Sequence, residues 1–228
     1  MNELNWQRVL VFGAHSDDEI IGPGGTIARL AAQGAQVAVV TFTRGETGYA
    51  RDELKGRMAE LRAQESAACD RMLGITERIN LGKPTQGIPD DRETYQECVR
   101  LIRRYRPEVI FTHYYEDKHR DHRVVSALTD EARWKASENV LSDLGPPWYT
   151  PALYYYEITE LFTHPSLVVD ITDTFERKLE AMRTQVSQLD VVPGILRYLE
   201  GIGRARGYLC ETSYAEAFLA SNLLPTRF

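Results

Sequence analysis

The chain has 228 residues, of which 43% are hydrophobic and 26% are charged, as in an ordinary soluble globular protein with a substantial core. The formal net charge of -6 argues against a nucleic-acid-binding surface, and no stretch reaches the roughly 20 apolar residues that span a bilayer. Three widely separated cysteines form neither a disulfide framework nor a CxxC metal site. We expect one domain over residues 1–228 in the cytoplasm, with no nucleic-acid partner and no membrane insertion.

The first 43 residues predict a strand, a helix and a second strand. Residues 8–14 (RVLVFGA) and 37–43 (VAVVTFT) are short apolar runs rich in β-branched side chains, typical of buried parallel strands. Between them, Gly24 and Gly25 lead into a helical segment that Gly34 closes. This order of elements is that of a βαβ unit.

Residues 52–73 carry a helical period and predict a long amphipathic helix that ends at Gly74. Side chains three and four residues apart form its predicted inner face: Leu54, Met58, Leu61, Glu65, Ala68 and Met72. The carboxylate of Glu65 is unexpected there. A salt bridge with Arg62 or a slightly rotated face explains it, although Arg62 could also face a pocket.

A polar loop with glycines and prolines follows, including Gly82 and Gly87, and then a predicted helix over residues 92–105. Residues 109–112 (VIFT) predict another buried strand, with His113 at its tip. We expect Asp121 to cap a helix that starts at His122.

The last third of the chain continues the alternation of strands and helices. Residues 153–158 and 167–171 are strand candidates, and Asp173 followed by Glu176 resembles a capping box. The apolar face of the following helix is expected to comprise Phe175, Leu179, Met182, Val186 and Leu189. The whole pattern predicts an α/β fold with an open, mostly parallel sheet and helices on both faces.

Two clusters of histidine and acidic residues follow predicted strands. The first runs from His15 to Glu19, and the second runs from His113 to His122. Because the carboxyl ends of parallel strands meet at one edge of an open sheet, where ligands bind, we expect the clusters to meet in space. Imidazole and carboxylate side chains bind borderline divalent ions and transfer protons near neutral pH.

His15 and Asp18 are three residues apart and can reach one ion, and His122 can supply a third ligand from the other loop. Three protein ligands leave a position open for water, as catalytic zinc sites require. Asp17, which is next to the ligands, is then the natural general base. We expect Zn²⁺, with Fe²⁺ or another divalent ion as an alternative.

His119 and Asp121 predict a second proton-handling pair, in which the carboxylate orients the imidazole and favours its charged form. Such an imidazolium would stabilise a tetrahedral oxyanion. Candidate substrate contacts are four side chains near the two clusters: Arg44, Glu46, Arg62 and His113.

At these residues the chain resembles the LmbE-like, or PIG-L, family of zinc-dependent N-deacetylases. The segment AHSDDEIIGPGGTIARL is similar to the family's AHPDDE motif, and DKHRDHRVVS is similar to its HPDH motif. Further similarities lie at TRGETG (43–48), YYYEI (154–158), SQL (187–189) and YAEAF (214–218). Ser16 and Arg120 replace two prolines that are common in the family.

The resemblance implies a Rossmann-like fold that hydrolyses an N-acetyl or related N-acyl group on a small glycoside, such as an N-acetylglucosamine conjugate. It implies zinc at His15, Asp18 and His122, with Asp17 as the base. It also implies that His119, oriented by Asp121, stabilises the oxyanion. A homo-oligomer is compatible with this prediction.

Three alternatives remain open at this point. One is an amidase of the same family that acts on a sugar-thiol conjugate. Another is an iron(II) oxygenase, because His15, Asp17 and His122 also satisfy a two-histidine, one-carboxylate ligand set, although those sites commonly lie on antiparallel β-rolls. The third is a non-catalytic metal-binding or sugar-binding module.

Overall fold

A computed structural model describes residues 4–224, whose strands form one seven-stranded sheet in the order β3-β2-β1-β4-β5-β7-β6. The strands are β1 (Arg8–Gly13), β2 (Gln36–Thr43), β3 (Glu77–Lys83), β4 (Val109–His113), β5 (Ala152–Tyr156), β6 (Leu167–Asp170) and β7 (Ala215–Ala220). All pairings from β3 to β5 are parallel, whereas β7 pairs antiparallel with both of its neighbours. The predicted mostly parallel sheet is therefore confirmed.

The strand order changes direction between β1 and β4. From β1 the chain adds β2 and β3 on one side, and it then returns to place β4 on the other side of β1. A change of this kind opens a crevice at the carboxyl ends of the two central strands. The two histidine clusters follow these two strands.

Helices cover both faces of the sheet, as expected. They are α1 (Asp18–Ile21), α2 (Gly24–Ala32), α3 (Met58–Leu73), α4 (Arg92–Tyr105), α5 (Arg120–Ala136), α6 (Phe175–Arg183), α7 (Val186–Leu189) and α8 (Ile195–Tyr208). Because side chains alternate along β1, Val9 and Val11 pack in a core with residues of α2, α3, α6 and α8. Leu10 and Phe12 pack in a second core with residues of α4 and α5.

Helix α3 begins later than predicted, and its buried face is rotated. It starts at Met58, because residues 52–54 form a separate 3-10 turn and Gly56 adopts a positive φ of 87°. Its buried side chains are Met58, Arg62, Ser66, Cys69 and Leu73. Met72, expected on the inner face, is 40% exposed. The rotation by about one residue places the Arg62 guanidinium inside the protein.

Two predicted helix starts are wrong. Helix α5 begins at Arg120, and its N-cap is His119, whose side chain accepts a hydrogen bond from the backbone N–H of Asp121. Asp121 therefore lies in the first turn rather than at the cap. Asp173 belongs to a 3-10 turn that precedes α6, so it does not form the predicted capping box.

Three elements were not predicted. Strand β3 is half-buried and polar, and it includes Gly82 from the segment that we expected to be a loop. Strand β7 and helix α8 also had no assignment in the sequence analysis. The apolar face assigned to one helix is divided between α6 and α7, and Val186 on it is 65% exposed. No helix within residues 4–224 combines the length and apolar character needed to cross a membrane.

Candidate metal centre

The three predicted ligands converge at the crevice between β1 and β4. Potential ligand atoms of His15, Asp18 and His122 all lie within 4.8 Å of one another. Nε2 of His122 is 3.3 Å from Nδ1 of His15 and 3.5 Å from Oδ1 of Asp18. Side chains more than a hundred residues apart in sequence thus face a common point, as the sequence predicts.

The imidazoles of His15 and His122 each contact a carboxylate through the ring nitrogen that does not face the other ligands. Oδ2 of Asp121 is 3.2 Å from Nε2 of His15, and Oδ1 of Asp117 is 3.1 Å from Nδ1 of His122. Each carboxylate favours a proton on the nitrogen that it contacts, so Nδ1 of His15 and Nε2 of His122 keep their lone pairs. This carboxylate–imidazole arrangement is typical of metal-bound histidines.

Asp18 is held by the backbone and by His113. Its Oδ2 accepts the N–H of His15 at 2.7 Å and lies 2.9 Å from Nε2 of His113. The ring of His113 stacks on His122 with centroids 3.9 Å apart, and it is fully buried. Burial lowers the pKa of His113 to about 4, with His122 contributing. His113 therefore supports the ligands from inside the protein, and its contact with substrate stays a prediction.

The site favours a positive charge. Burial opposes the charged form of His15, but hydrogen bonds with the carboxylates of Asp121 and Asp18 outweigh it and raise the pKa of His15 to about 10. Within residues 4–224, Oδ1 of Asp121 is a buried oxygen that has no hydrogen-bond partner. A divalent cation would supply the charge that these carboxylates favour. Two imidazoles and one carboxylate are a donor set that zinc accepts, with a fourth position for water.

A second group of potential ligands, comprising His15, His119 and Asp121, is also compact. However, Nδ1 of His119 accepts the backbone N–H of Asp121 at 3.2 Å, which places the proton of the neutral ring on Nε2. Neither nitrogen then offers a free lone pair to a metal. His119 is therefore suited to donate a hydrogen bond rather than to bind the ion.

The role expected for Asp121 changes accordingly. Its carboxylate contacts His15 and the N–H of Gln86, while only its backbone N–H contacts His119. Burial and the neighbouring His122 and His15 lower the pKa of His119, which favours a neutral imidazole over the expected imidazolium. A neutral ring with a proton on Nε2 still provides a hydrogen-bond donor.

Asp17 lies beside the ligands and contacts a buried arginine. Its Oδ2 is 3.3 Å from Nη2 of Arg62, and Nη1 of Arg62 is 3.8 Å from Oε2 of Glu65. Arg62 is 2% exposed. The ion pair between Arg62 and Glu65 that the sequence predicts is therefore present, and it extends to the candidate base.

The remaining predicted substrate contacts divide into two groups. Arg44 and Arg62, with Ser16, line a cleft of about 460 Å³ between α3 and the ends of β2 and β3. Glu46 instead accepts the N–H and the hydroxyl of Thr85, at 2.7 and 2.8 Å, and so joins two loops. Its position favours a structural role.

Asp117 had no predicted role, and Thr159 was not identified from the sequence. Asp117 accepts hydrogen bonds from the N–H of His119 at 2.8 Å and from the hydroxyl of Thr159 at 2.8 Å, in addition to contacting His122. Asp117 lies within the second cluster, which was the available signal. Nothing in the local sequence marks Thr159, because its partner is 42 residues away.

Comparison with known proteins places this site in a family. The family described as GlcNAc-PI de-N-acetylase (PIG-L) matches residues 10–133, which is more than half of the chain. A 1D-myo-inositol 2-acetamido-2-deoxy-alpha-D-glucopyranoside deacetylase of Rhodococcus erythropolis is 35% identical over 184 residues, with 68% of this chain and 62% of that protein covered. The chain thus spans less than two thirds of that relative. A diacetylchitobiose deacetylase of Thermococcus kodakarensis is 32% identical over 224 residues, covering 92% of this chain and 81% of that protein.

Solved structures share the fold along nearly the whole chain. A conserved protein from Thermus thermophilus superposes with a TM-score of 0.85 at 31% identity, with 97% of both chains covered. The N,N'-diacetylchitobiose deacetylase of Pyrococcus horikoshii gives a TM-score of 0.85 at 28% identity, covering 95% of this chain and 84% of that one. A 4-carboxy-2-hydroxymuconate hydratase of Pseudomonas putida has the same fold at 23% identity, with a TM-score of 0.84. From the family match and these similarities, we conclude that the chain belongs to the PIG-L family.

Proposed function

We propose that this protein is a zinc-dependent hydrolase that removes the N-acetyl group of a small glycoside of the N-acetylglucosamine type. The observation that carries the proposal is the grouping of His15, Asp18 and His122 beside Asp17 and His119. Binding alone needs no proton-transferring side chain next to the ligands. The names of the relatives, which include deacetylases of acetylated amino sugars, support the same substrate class.

Zinc, when bound, would supply Lewis acidity that lowers the pKa of water and polarises a carbonyl. Asp17 is placed to take a proton from the attacking water, while Arg62 holds one of its carboxylate oxygens. As the water oxygen bonds to the acyl carbon, Nε2–H of His119 donates a hydrogen bond to the former carbonyl oxygen. Such a donor contributes roughly 3 kcal/mol to transition-state stabilisation in other enzymes.

The departing nitrogen needs a proton when its bond to the acyl carbon breaks. Asp17 carries the proton that it took from water and is placed to return it to this nitrogen. The products are acetic acid, which ionises to acetate in water, and a free amine, and Asp17 is again a carboxylate. His119 keeps its Nε2 proton throughout, because the backbone N–H of Asp121 occupies Nδ1.

The direct test is acetate release by the zinc-loaded protein from an N-acetylglucosaminyl inositol and from diacetylchitobiose. We expect Asp17→Asn and His122→Ala to lose at least about 100-fold in kcat/KM, the scale of general acid–base catalysis. His164→Ala is the matched control, because His164 is exposed in a loop and belongs to neither group of potential ligands. Parent-like rates in the Asp17 variant would refute the mechanism.

The same preparation distinguishes the alternatives. Tight binding of one zinc ion without turnover on a panel of N-acyl amides would indicate a binding module. Oxygen consumption that depends on iron(II) would indicate an oxygenase. Preference for a sugar-thiol conjugate would identify the amidase. Activity with Fe²⁺ in place of Zn²⁺ would leave the hydrolytic proposal intact, because this donor set accepts both ions.

A further inference from the structure

Arg62 lies at the centre of an ionic chain that leads away from Asp17. The guanidinium is buried and its terminal nitrogens face two carboxylates, with Nη2 3.3 Å from Asp17 and Nη1 3.8 Å from Glu65, the latter an ion pair without a hydrogen bond. Because the two nitrogens belong to one rigid plane, the carboxylate at one end influences the orientation at the other.

Glu65 is itself fixed by a different helix. Its two carboxylate oxygens accept the N–H and the hydroxyl of Ser187, each at 2.7 Å, at the start of α7. The neighbouring Gln188 donates from Nε2 to the carbonyl of Gly48 at 3.0 Å. Helix α7 thereby joins α3 to the loop that follows β2.

The loop that follows β2 packs against the Arg62 guanidinium. Gly45 has a positive φ of 67°, and a Cβ atom built there would lie 3.1 Å from Nε of Arg62. A larger residue would meet both backbone strain and a close contact. Two short sequence segments, TRGETG at 43–48 and SQL at 187–189, thus converge on Arg62 and Glu65.

We propose that Glu65, fixed by Ser187, is a positioning residue that acts through Arg62 on the Asp17 carboxylate. The proposal rests on the proposed function, in which Asp17 is the base. Glu65 competes for the guanidinium, so that Arg62 engages Asp17 through one nitrogen and leaves the other carboxylate oxygen for the reacting water. If Glu65 had no charge, Asp17 would be the one anionic partner left to Arg62 in this ionic chain. The buried guanidinium would then turn both terminal nitrogens toward Asp17.

Glu65→Gln isolates this effect. Glutamine keeps the side-chain volume and can still accept the N–H of Ser187 and donate to its hydroxyl, but it has no negative charge. We expect kcat to fall about tenfold, because misplacement of a reacting group by about 1 Å costs up to about 100-fold. KM and the Kd for zinc should stay within about twofold, because the ligands remain in place. Glu60→Gln, exposed on the same helix, is the matched control and should retain the parent kcat.

A second variant keeps the test independent of folding losses. Arg62→Ala should lose about 100-fold in kcat, and guanidinium ion added at millimolar concentration should restore part of that rate through the adjoining cleft. Asp17→Asn should show no such rescue. An unchanged kcat in Glu65→Gln would overturn the proposal. So would a kcat loss that matches a loss of zinc affinity or of folded protein, since that pattern indicates a purely structural role.

Failure of the proposed function would be seen separately, as absence of hydrolysis by the zinc-loaded parent. In that case, crystal structures of the zinc-loaded parent and Glu65→Gln would still decide the positioning role. We expect both terminal nitrogens of Arg62 to contact Asp17 in the variant. An unchanged contact between Arg62 and Asp17 would overturn the proposal.

Discussion

Asp117→Asn tests whether the carboxylate behind His122 tunes metal binding. Asp117 is 1% exposed, and its Oδ1 lies 2.8 Å from the N–H of His119 and 3.1 Å from Nδ1 of His122. Thr159 donates to both of its oxygens, from its hydroxyl at 2.8 Å and from its N–H at 3.2 Å. Asparagine replaces one carboxylate oxygen with an NH2 group, which would face a hydrogen-bond donor of His119 or Thr159. It also removes the negative charge that orients the imidazole of His122.

Loss of such a carboxylate lowers metal affinity by about 10- to 100-fold, which corresponds to about 1.4–2.7 kcal/mol. Competition with a chromophoric zinc chelator at neutral pH measures this change directly. Urea unfolding with and without zinc provides a second measurement. At a free zinc concentration of 100 times the parent Kd, zinc should stabilise the parent by about 2.7 kcal/mol. A variant that binds 100-fold more weakly should gain only about 0.4 kcal/mol.

Asp130→Asn is the matched control for this prediction. Asp130 lies on the same helix as His122, and its carboxylate accepts hydrogen bonds from the hydroxyls of Tyr155 and Ser221. Its replacement should reduce stability without changing the Kd for zinc. The reasoning is refuted if Asp117→Asn binds zinc as tightly as the parent, or if the two variants weaken binding equally.

Three further predictions concern the fold around the site. Gly22→Ala should destabilise the protein by about 1–3 kcal/mol in urea unfolding, because its Cβ would lie 2.4 Å from the ring of Tyr156; a neutral effect would contradict the close packing. Gly201 lies within α8, and a Cβ atom built there meets none of the described residues within 4 Å. Gly201→Ala should therefore raise the free energy of unfolding by about 0.5–1 kcal/mol, because alanine lowers the entropy of the unfolded chain. A lower free energy of unfolding would contradict this expectation. For Glu46, burial is outweighed by hydrogen bonds from Thr85, which lower the pKa below its ordinary value of 4.5. The ionised Glu46 carboxylate therefore stabilises the fold above pH 4.5, and this contribution is lost as the pH falls through the lower pKa of the folded state. The difference in free energy of unfolding between the metal-free parent and Glu46→Gln should shrink on acidification. A difference that does not change with pH would contradict this prediction.

The sequence was most informative where apolar periodicity was strong. The helix predicted over residues 92–105 has the bounds of α4, and the runs at 8–14 and 37–43 match the central strands β1 and β2 within one residue. These strands are buried on both faces for most of their length, so most of their side chains are apolar. The carboxyl ends of β1 and β4 then determine where the two histidine clusters meet.

Local pattern could not identify polar side chains that are buried through distant partners. A charged side chain such as that of Arg62 is usually exposed to solvent, but here it is buried and forms an ion pair with Asp17, which lies 45 residues earlier in the chain. Asp121 was assigned to its neighbour His119, whereas its carboxylate reaches His15 across the crevice, 106 residues away. Strand β3 was missed for a related reason, since it is half-buried at the edge of the sheet and carries charged residues.

The central claim is that one metal ion binds between Nδ1 of His15, Asp18 and Nε2 of His122. Anomalous diffraction recorded above and below the zinc absorption edge, from crystals loaded with one equivalent of zinc, tests it most directly. We predict a single strong peak contacted by these three side chains, with His119 outside the coordination sphere. A peak bound by His119 and Asp121, or zinc bound elsewhere while the three side chains remain free, would contradict the account.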